Sequence, residues 1–317
     1  MTRLFAFMLL LAASAAASPP PPTTDYEVAS SENAAKSPLN SSQLLLAGDG
    51  FDRLTVPVRL GGSGPFRFLV DTGSDRTSVS HELAQRLGLA EHDRALMHSA
   101  SGPSSVRMAI LPELRAGRQT VRRIQAPMLA AVDIGADGIL GIDSLRSQRV
   151  VFDFRENSLA IEPDEAAEPL DPNAILVRAR RKNGRLIITD AEVDGVPVRV
   201  VLDSGSSLTV GNSALRRRLE RRGAPAHMGP IDLVSVTGRA LRGELARIGR
   251  LDISGARLEE LAIVFADAHT FRTLDLDRRP AVLLGMNALR AFDQVTIDFA
   301  AKRVALVLPR EGSRPVR

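Results

Sequence analysis

The chain has 317 residues, of which 44% are hydrophobic and 25% are charged, a composition typical of a soluble globular protein. Its length suggests two domains, each large enough to bury a core of its own. The net charge is only +4, and the single tyrosine and absent tryptophan leave no aromatic platform for stacking bases, so we expect no nucleic-acid partner. The chain has no cysteine, which excludes disulfides, and its five histidines show no metal-ligand spacing, so no metal site is predicted.

Residues 1–17 have the pattern of a secretory signal peptide. Arg3 precedes an uncharged run from Leu4 to Ala17, which ends in small residues. This run is shorter than the roughly 20 residues that a membrane-spanning helix needs. We therefore expect cleavage near Ala17 and a periplasmic or secreted protein with no stable membrane span. An uncleaved membrane anchor is the alternative.

Two stretches of biased composition separate the remaining segments. Residues 18–50 are rich in proline, serine, threonine, alanine and asparagine, which predicts a flexible linker or, alternatively, a pro-segment. Ordered structure is expected to begin near Phe51. A second stretch, Glu162 to Pro172, is acidic and contains proline. We predict one lobe over residues 51–163 and another over residues 174–310.

One sequence element occurs once in each predicted lobe. An apolar run leads into Asp71-Thr72-Gly73-Ser74 in the first copy and into Asp203-Ser204-Gly205-Ser206 in the second. The run is typical of a buried strand, and the glycine permits a tight turn that exposes the acid at the strand end. Because the two acids recur 132 positions apart in matching surroundings, we infer an internal duplication.

A second element follows each acid. Ile139-Leu140-Gly141 matches Leu283-Leu284-Gly285, and each precedes a possible short helix in which Asp143 or Asn287 is interpreted as a turn or cap residue. The spacing from acid to glycine is 70 residues in the first copy and 82 in the second. The second copy is therefore expected to contain an insertion, a polar surface loop over about residues 266–280.

Two carboxylates brought together would have hydrolytic chemistry. If a pseudo-twofold axis places Asp71 beside Asp203, both cannot ionise readily, and the pair shares one proton over a wide pH range. One carboxylate can then act as a general base on a water molecule while the other donates a proton to a carbonyl oxygen. The alternative is two unrelated turn acids, because aspartate and glycine are common in turns.

The hydroxyl residues next to the acids are expected to support the pair. Those of Thr72 and Ser204 can hydrogen-bond across to the other copy. Those of Ser74 and Ser206 can donate to the neighbouring carboxylates, which would favour the ionised form. We therefore expect activity on the acidic side of neutral.

The chain thus contains two copies of one pattern: two apolar residues, then Asp, then Thr or Ser, then Gly and Ser. Each copy has its downstream glycine element. This doubled pattern resembles the aspartic peptidases of the pepsin and retropepsin clan. The similarity is greatest to bacterial retropepsin-like aspartyl proteases with two fused lobes. It covers about residues 51–163 and 174–308. It implies a mostly β, bilobal acid-protease fold, with two retropepsin-like β lobes related by a pseudo-twofold axis.

The resemblance also implies roles for individual residues. Asp71 and Asp203 are the catalytic pair, and hairpins near Gly102 and Gly238 are candidate flaps, although neither contains the tyrosine of a pepsin flap. The residues expected to support the pair are Thr72, Gly73, Ser74, Ser204, Gly205 and Ser206. The implied activity is that of a monomeric aspartic endopeptidase that hydrolyses peptide or protein substrates with an activated water and needs no metal or other cofactor.

Two alternatives remain open at this point. The same two-lobed fold can bind peptides without cutting them. Each lobe can also pair with its own copy in another chain, as separate retropepsin subunits do.

Overall fold

The computed structural model describes residues 43–45, 47–48, 54–117, 119–145, 148–163, 170–223 and 225–309. The predicted signal peptide lies outside the described residues, as does most of the predicted linker. Within the linker range, β1 (Gln43–Leu45) and β2 (Ala47–Gly48) form, so backbone pairing begins before Phe51. None of the helices in the described part of the chain is both long and apolar enough to cross a membrane.

The first lobe is built mainly of strands, as predicted. Its strands are β3 (Leu54–Leu60), β4 (Ser63–Val70), β5 (Ser78–Ser80), β6 (Glu91–Ser99), β7 (Gly102–Ala116), β8 (Gln119–Leu129), β9 (Gly138–Leu140), β10 (Gln148–Asp153) and β11 (Ser158–Pro163). Its helices are α1 (His81–Arg86), α2 (Ala131–Ile134) and α3 (Ile142–Leu145). The sheet order is β2-β3-β4-β9-β5-β8-β7-β6. Strand β9 runs parallel to β4, so the downstream glycine element lies beside the strand that leads into Asp71.

The second lobe repeats this arrangement. Its strands are β12 (Ile175–Lys182), β13 (Arg185–Ile188), β14 (Ala191–Val193), β15 (Val196–Pro197), β16 (Arg199–Leu202), β17 (Thr209–Gly211), β18 (Ala226–Val234), β19 (Ala240–Ile253), β20 (Ala256–Phe265), β21 (Ala281–Leu284), β22 (Gln294–Asp298) and β23 (Arg303–Val307). Its helices are α4 (Ser213–Glu220), α5 (His269–Thr273) and α6 (Met286–Leu289). Strand β21 runs parallel to β16 and antiparallel to β17, just as β9 lies between β4 and β5.

A shared sheet joins the two lobes. Strand β10 of the first lobe pairs with β22 of the second, and Arg149 lies opposite Asp298 in this ladder. The Arg149 guanidinium is 3.6 Å from the Asp298 carboxylate, and Arg303 approaches the same carboxylate at 3.0 Å. Because Arg149 and Asp298 are both buried, this ion pair is shielded from solvent at the lobe junction.

The main hydrophobic core is continuous across both lobes. It contains Phe68 and Phe152 from the first lobe and Phe292 and Phe299 from the second. Smaller clusters lie within the single lobes, one in the second lobe around Phe271 and one in the first around Leu69. Since β10 and β22 pair across the junction, the apolar faces of the two lobes pack against one another and leave water together.

The insertion in the second copy is not simply a polar loop. Residues 269–273 form α5, and Phe271, Leu274 and Leu276 are buried in a smaller core of the second lobe. The Asn212 side-chain amide donates to the Leu276 carbonyl at 2.8 Å and holds this segment in place. The prediction of a polar surface loop is wrong because the apolar residues of this segment, which lie between exposed acids and arginines, face inward.

Candidate active site

The acids of the two repeated elements each follow a buried strand. Strand β4 leads into Asp71 and β16 into Asp203, and both aspartates are half-buried. The Asp71 N–H donates to the Leu140 carbonyl and the Asp203 N–H to the Leu284 carbonyl, both at 3.0 Å. Each acid therefore follows the last residue of its strand. The neighbouring strand, which carries the downstream glycine element, ends at the same level.

The two acid-containing loops lie against each other. A Cβ atom on Gly73 would be 2.5 Å from Oδ1 of Asp203, and one on Gly205 would clash with the carboxyl group of Asp71. Each glycine is thus required for the opposite carboxylate to approach the loop backbone. Within its own loop, the Gly73 N–H donates to Oδ1 of Asp71 at 2.8 Å. The tertiary structure therefore brings both predicted acids to one site.

Thr72 and Ser204 link the two loops. The N–H of each residue donates to the side-chain oxygen of the other at 3.1 Å. The Thr72 hydroxyl donates onward to the Leu202 carbonyl at 3.1 Å, and the Ser204 hydroxyl to the Val70 carbonyl at 2.7 Å. Both side chains are buried. Because only the hydroxyl takes part, serine in the second copy makes the same bonds as threonine in the first.

The carboxyl group of Asp203 binds its proton unusually tightly. Burial makes the largest contribution, and the neighbouring Asp71 carboxylate adds to it, so the pKa of Asp203 rises to about 7. Arg185 and the backbone N–H groups of Gly205 and Ser206 act in the opposite direction. The pair of acids therefore retains a shared proton up to near-neutral pH.

Ser74 and Ser206 do not donate to the acids. The Ser74 hydroxyl donates to the Arg76 carbonyl at 2.9 Å, and the Ser206 hydroxyl to the Leu208 carbonyl at 2.7 Å. The prediction that they stabilise ionised carboxylates is wrong, because the turn places each hydroxyl on the backbone of its own loop. Backbone N–H groups of the loops donate to the acids instead.

Asp143 and Asn287 brace the acid-containing loops. Oδ1 of Asp143 accepts from the Thr77 N–H at 2.8 Å and from the Thr77 hydroxyl at 2.7 Å. Oδ1 of Asn287 accepts from the same two groups of Thr209, both at 2.8 Å. The interpretation as turn or cap residues missed this role. Their matching positions after the downstream glycines were the signal in the sequence.

The downstream glycines allow this brace to pack closely. A side chain on Gly141 would clash with the backbone of Arg76, and one on Gly285 would clash with the carbonyl of Leu208. Both glycines therefore stand where a strand-to-helix element touches the backbone of an acid-containing loop.

Arg185 connects the second lobe to the first acid-containing loop. Its Nε donates to the Gly73 carbonyl at 2.7 Å, and its Nη1 lies 3.0 Å from the Asp75 carboxylate. The Arg185 side chain is only 9% exposed, whereas that of Asp75 is 51% exposed. Ser207 stands where Asp75 does, so the second loop cannot form the same ion pair. Arg185 could not be recognised from the sequence, where its only signal is the additional acid, Asp75, in the first copy.

The candidate flap glycines lie in two hairpins that meet at their tips. The first hairpin joins β6 to β7 and has Gly102 at its tip, and the second joins β18 to β19 and has Gly238 at its tip. The hydroxyls of Ser101 and Ser235 are 2.8 Å apart, so the tips are in direct contact. Their function as flaps remains a prediction.

The family model for aspartyl proteases matches the chain twice, over residues 56–144 and 189–288. Each match contains one acid and its downstream glycine element, and together they cover more than half of the chain. No curated protein gives a significant match. The chain therefore belongs to the aspartyl protease family, as a protein with two fused retropepsin-like lobes.

Proposed function

We propose that this protein is an aspartic endopeptidase in which Asp71 and Asp203 activate a water molecule for attack on a peptide bond. The main support is the raised pKa of Asp203 beside the Asp71 carboxylate. A pair that holds one proton near neutral pH has both groups that the reaction needs, one to accept a proton and one to donate it. The hydrogen bonds between Thr72 and Ser204 keep this pair in place.

The proposed reaction moves protons without a net change in the pair. The ionised carboxylate takes a proton from water as the water oxygen bonds to the peptide carbonyl carbon. The protonated carboxyl gives its proton to the carbonyl oxygen, which forms a tetrahedral diol. The carboxyl that received the water proton then protonates the leaving nitrogen while a diol proton returns to its partner. The carbon–nitrogen bond breaks, and the pair again holds one proton.

Membership of the protease family implies peptide substrates. We propose that an extended peptide lies between the lobes beneath the two hairpins. We also propose that the side chains of the substrate enter apolar pockets. Backbone groups of an extended peptide would supply hydrogen bonds.

The test compares the protein with Asp71→Asn and Asp203→Asn on a diverse peptide pool across pH, with and without a statine-type inhibitor. We expect inhibitor-sensitive cleavage that each variant reduces by at least about 10³-fold, since each removes one proton-transfer group. Asp277→Asn, at an exposed carboxylate, is the matched control and should cleave normally.

A peptide-binding protein without catalytic activity is the alternative function. It predicts peptide binding by the unmodified protein and no cleavage at any pH. Cleavage that survives in both Asp→Asn variants would instead show that other residues carry the reaction.

We also propose that the protein acts as a monomer, because one chain supplies both acids. Mass measurement of the active fraction tests this, and activity confined to a dimer would contradict it.

Export is a further proposal and is supported by the pattern of residues 1–17. Sequencing the N-terminus of the protein from cell fractions should reveal a start near Ser18 in the periplasm or medium. An intact Met1 in the cytoplasm would contradict it.

A further inference from the structure

Four hydroxyl side chains join the tips of the two hairpins. The Ser101 and Ser235 hydroxyls are 2.8 Å apart, and those of Ser99 and Thr237 are 3.3 Å apart. Within each tip, Ser99 also contacts Ser101, and Ser235 contacts Thr237. Ser99 and Ser235 are buried, so these contacts are largely shielded from water. The tips are therefore hydrogen-bonded to each other.

Each tip also packs on the opposite lobe. Ala100 of the first hairpin contacts the second-lobe cluster that contains Val201, a residue of the strand leading into Asp203. Val236 of the second hairpin contacts the first-lobe cluster that contains Leu69, a residue of the strand leading into Asp71. Each hairpin tip therefore packs against an apolar cluster of the other lobe, and each cluster includes a residue of a strand that leads into one of the acids.

A histidine pair fastens the first hairpin to the second lobe. Nδ1 of His98 is 2.7 Å from Nε2 of His269, the first residue of α5. The two rings are stacked, with centroids 4.9 Å apart and planes 9° from parallel. The backbone N–H of His269 also donates to the Ala100 carbonyl at 2.8 Å. Helix α5, part of the insertion, thus holds the tip of the first hairpin.

The charges around His269 oppose its protonation. A hydrogen bond between two imidazoles needs one N–H and one lone pair, so it is lost when both rings are protonated. Arg272, on α5, is the other cation that acts on His269. On the second hairpin, the Arg239 guanidinium donates to the carbonyl of Pro103, which pairs with His98 in the β6–β7 ladder.

The second tip also has an acidic neighbour. A Cβ atom on Gly238 would lie 2.7 Å from Oδ2 of Asp133, on α2. Burial lowers the pKa of His269 from its ordinary value of 6.5, and His98 and Arg272 lower it further. The closed hairpin therefore favours neutral His269.

We propose that the His98–His269 pair is a pH-sensitive latch that holds the first hairpin closed over the site, and that protonation of the pair releases it. Opening would return His269 to solvent and to its ordinary pKa. Opening thus takes up a proton: the closed form is fully stable above about pH 6.5 and weakens as the pH falls below that value. The consequence for cleavage rests on the proposed peptidase function, but the opening does not.

The absence of cysteine allows opening to be measured directly. Leu96→Cys, at a 66% exposed position on the first hairpin, and Arg217→Cys, on α4 of the second lobe, would carry spin labels. Pulsed electron paramagnetic resonance then gives the distribution of label separations from pH 5 to pH 8. We expect acidification to move at least about a third of the molecules to longer separations. An unchanged distribution across this range would overturn the proposal.

A non-titrating variant identifies the groups responsible. His269→Gln retains a polar side chain but does not titrate, so its distribution should stay constant between pH 5 and pH 8. His92→Gln changes an exposed histidine on the same strand as His98 and should respond to pH like the parent. If His269→Gln fails to fold, His269→Asn takes its place. A full pH response in the non-titrating variant would contradict the latch.

The two proposals can fail separately. A protein that opens in acid but cleaves no peptide retains the latch and loses the peptidase function. A protein that cleaves peptides with an unchanged label distribution retains the peptidase function and loses the latch.

Discussion

Thr72 and Ser204 each donate a backbone N–H to the other's side-chain oxygen at 3.1 Å. The Thr72 hydroxyl donates to the Leu202 carbonyl, at the end of the strand that leads into Asp203. The Ser204 hydroxyl donates to the Val70 carbonyl, at the end of the strand that leads into Asp71. The position of either acid therefore depends on both copies of the repeated element.

Thr72→Val should destabilise the protein and reduce catalysis. The variant keeps the shape of threonine but leaves the Ser204 N–H and the Leu202 carbonyl without their buried partner, at a cost of about 2–4 kcal/mol in unfolding free energy. Thr72→Ser keeps the hydroxyl and should cost less than about 1 kcal/mol. Denaturant unfolding and kcat measured on both variants test this. Equal stability of the two would contradict the role of the hydroxyl.

Asp203→Asn should stabilise the protein at alkaline pH. In the folded protein the pKa of Asp203 is about 7, compared with 3.8 as the ordinary value, so ionisation increasingly destabilises the native state as pH rises from about 4 to 7. Removing the ionisable group should raise Tm at pH 8 by about 3–8 °C and change it little at pH 4. Thermal unfolding of this variant and Asp277→Asn provides the comparison. A Tm that falls equally at both pH values would count against the shift.

The activity should decline above about pH 7. At that point the acid pair loses its shared proton and no longer has a group that can protonate the carbonyl oxygen. We therefore expect kcat/KM to fall about tenfold per pH unit well above the pKa. Measuring kcat/KM for several short peptides as a function of pH tests this decline. A plateau that continues to pH 9 would show that the pair does not control the rate.

Arg185→Met should shift the decline in kcat/KM at alkaline pH. Arg185 lowers the pKa of Asp203, so its removal should raise that pKa and move the decline in kcat/KM to higher pH. The loss of its bond to the Gly73 carbonyl and its ion pair with Asp75 should also cost about 1–3 kcal/mol of stability. Arg278→Met, at an exposed arginine, is the matched control. If the role of Arg185 is purely structural, the variant should lose stability but show the decline in kcat/KM at the same pH as the parent.

A disulfide between the hairpin tips should lock the site. The Ser101 and Ser235 hydroxyls are 2.8 Å apart, so Ser101→Cys with Ser235→Cys places two sulfurs within bonding reach. Oxidation should reduce cleavage at least about tenfold, and a reducing agent should restore it. Ser101→Cys alone should not respond to oxidant. Full activity of the oxidised double variant would show that substrate enters without separation of the tips.

Much of this site could be predicted because its signals are local. The apolar run, the acid and the glycine lie within a few positions of one another, and the same order recurs at Asp203. Strand character, turn chemistry and the acid at the strand end depend on neighbouring residues. Duplication then implied that the two acids act as a pair, and the family match shows that the chain belongs to the aspartyl proteases.

Other features depend on contacts that sequence spacing does not reveal. Arg185 bonds to Gly73 across 112 positions, and His98 to His269 across 171. A single hydroxyl has several possible partners, so the sequence did not indicate that Ser74 would bond to its own loop. The packing of the two lobes around one continuous core determines which polar groups come within hydrogen-bonding distance.

The sequence thus establishes the repeated acid, the hydroxyl beside it and the need for glycine, because each follows from chemistry within one turn. The tertiary structure establishes the raised pKa of Asp203, the part played by Arg185 and the fastening of the hairpins. These properties arise from burial and from charges on distant segments, and both exist only once the lobes have packed together.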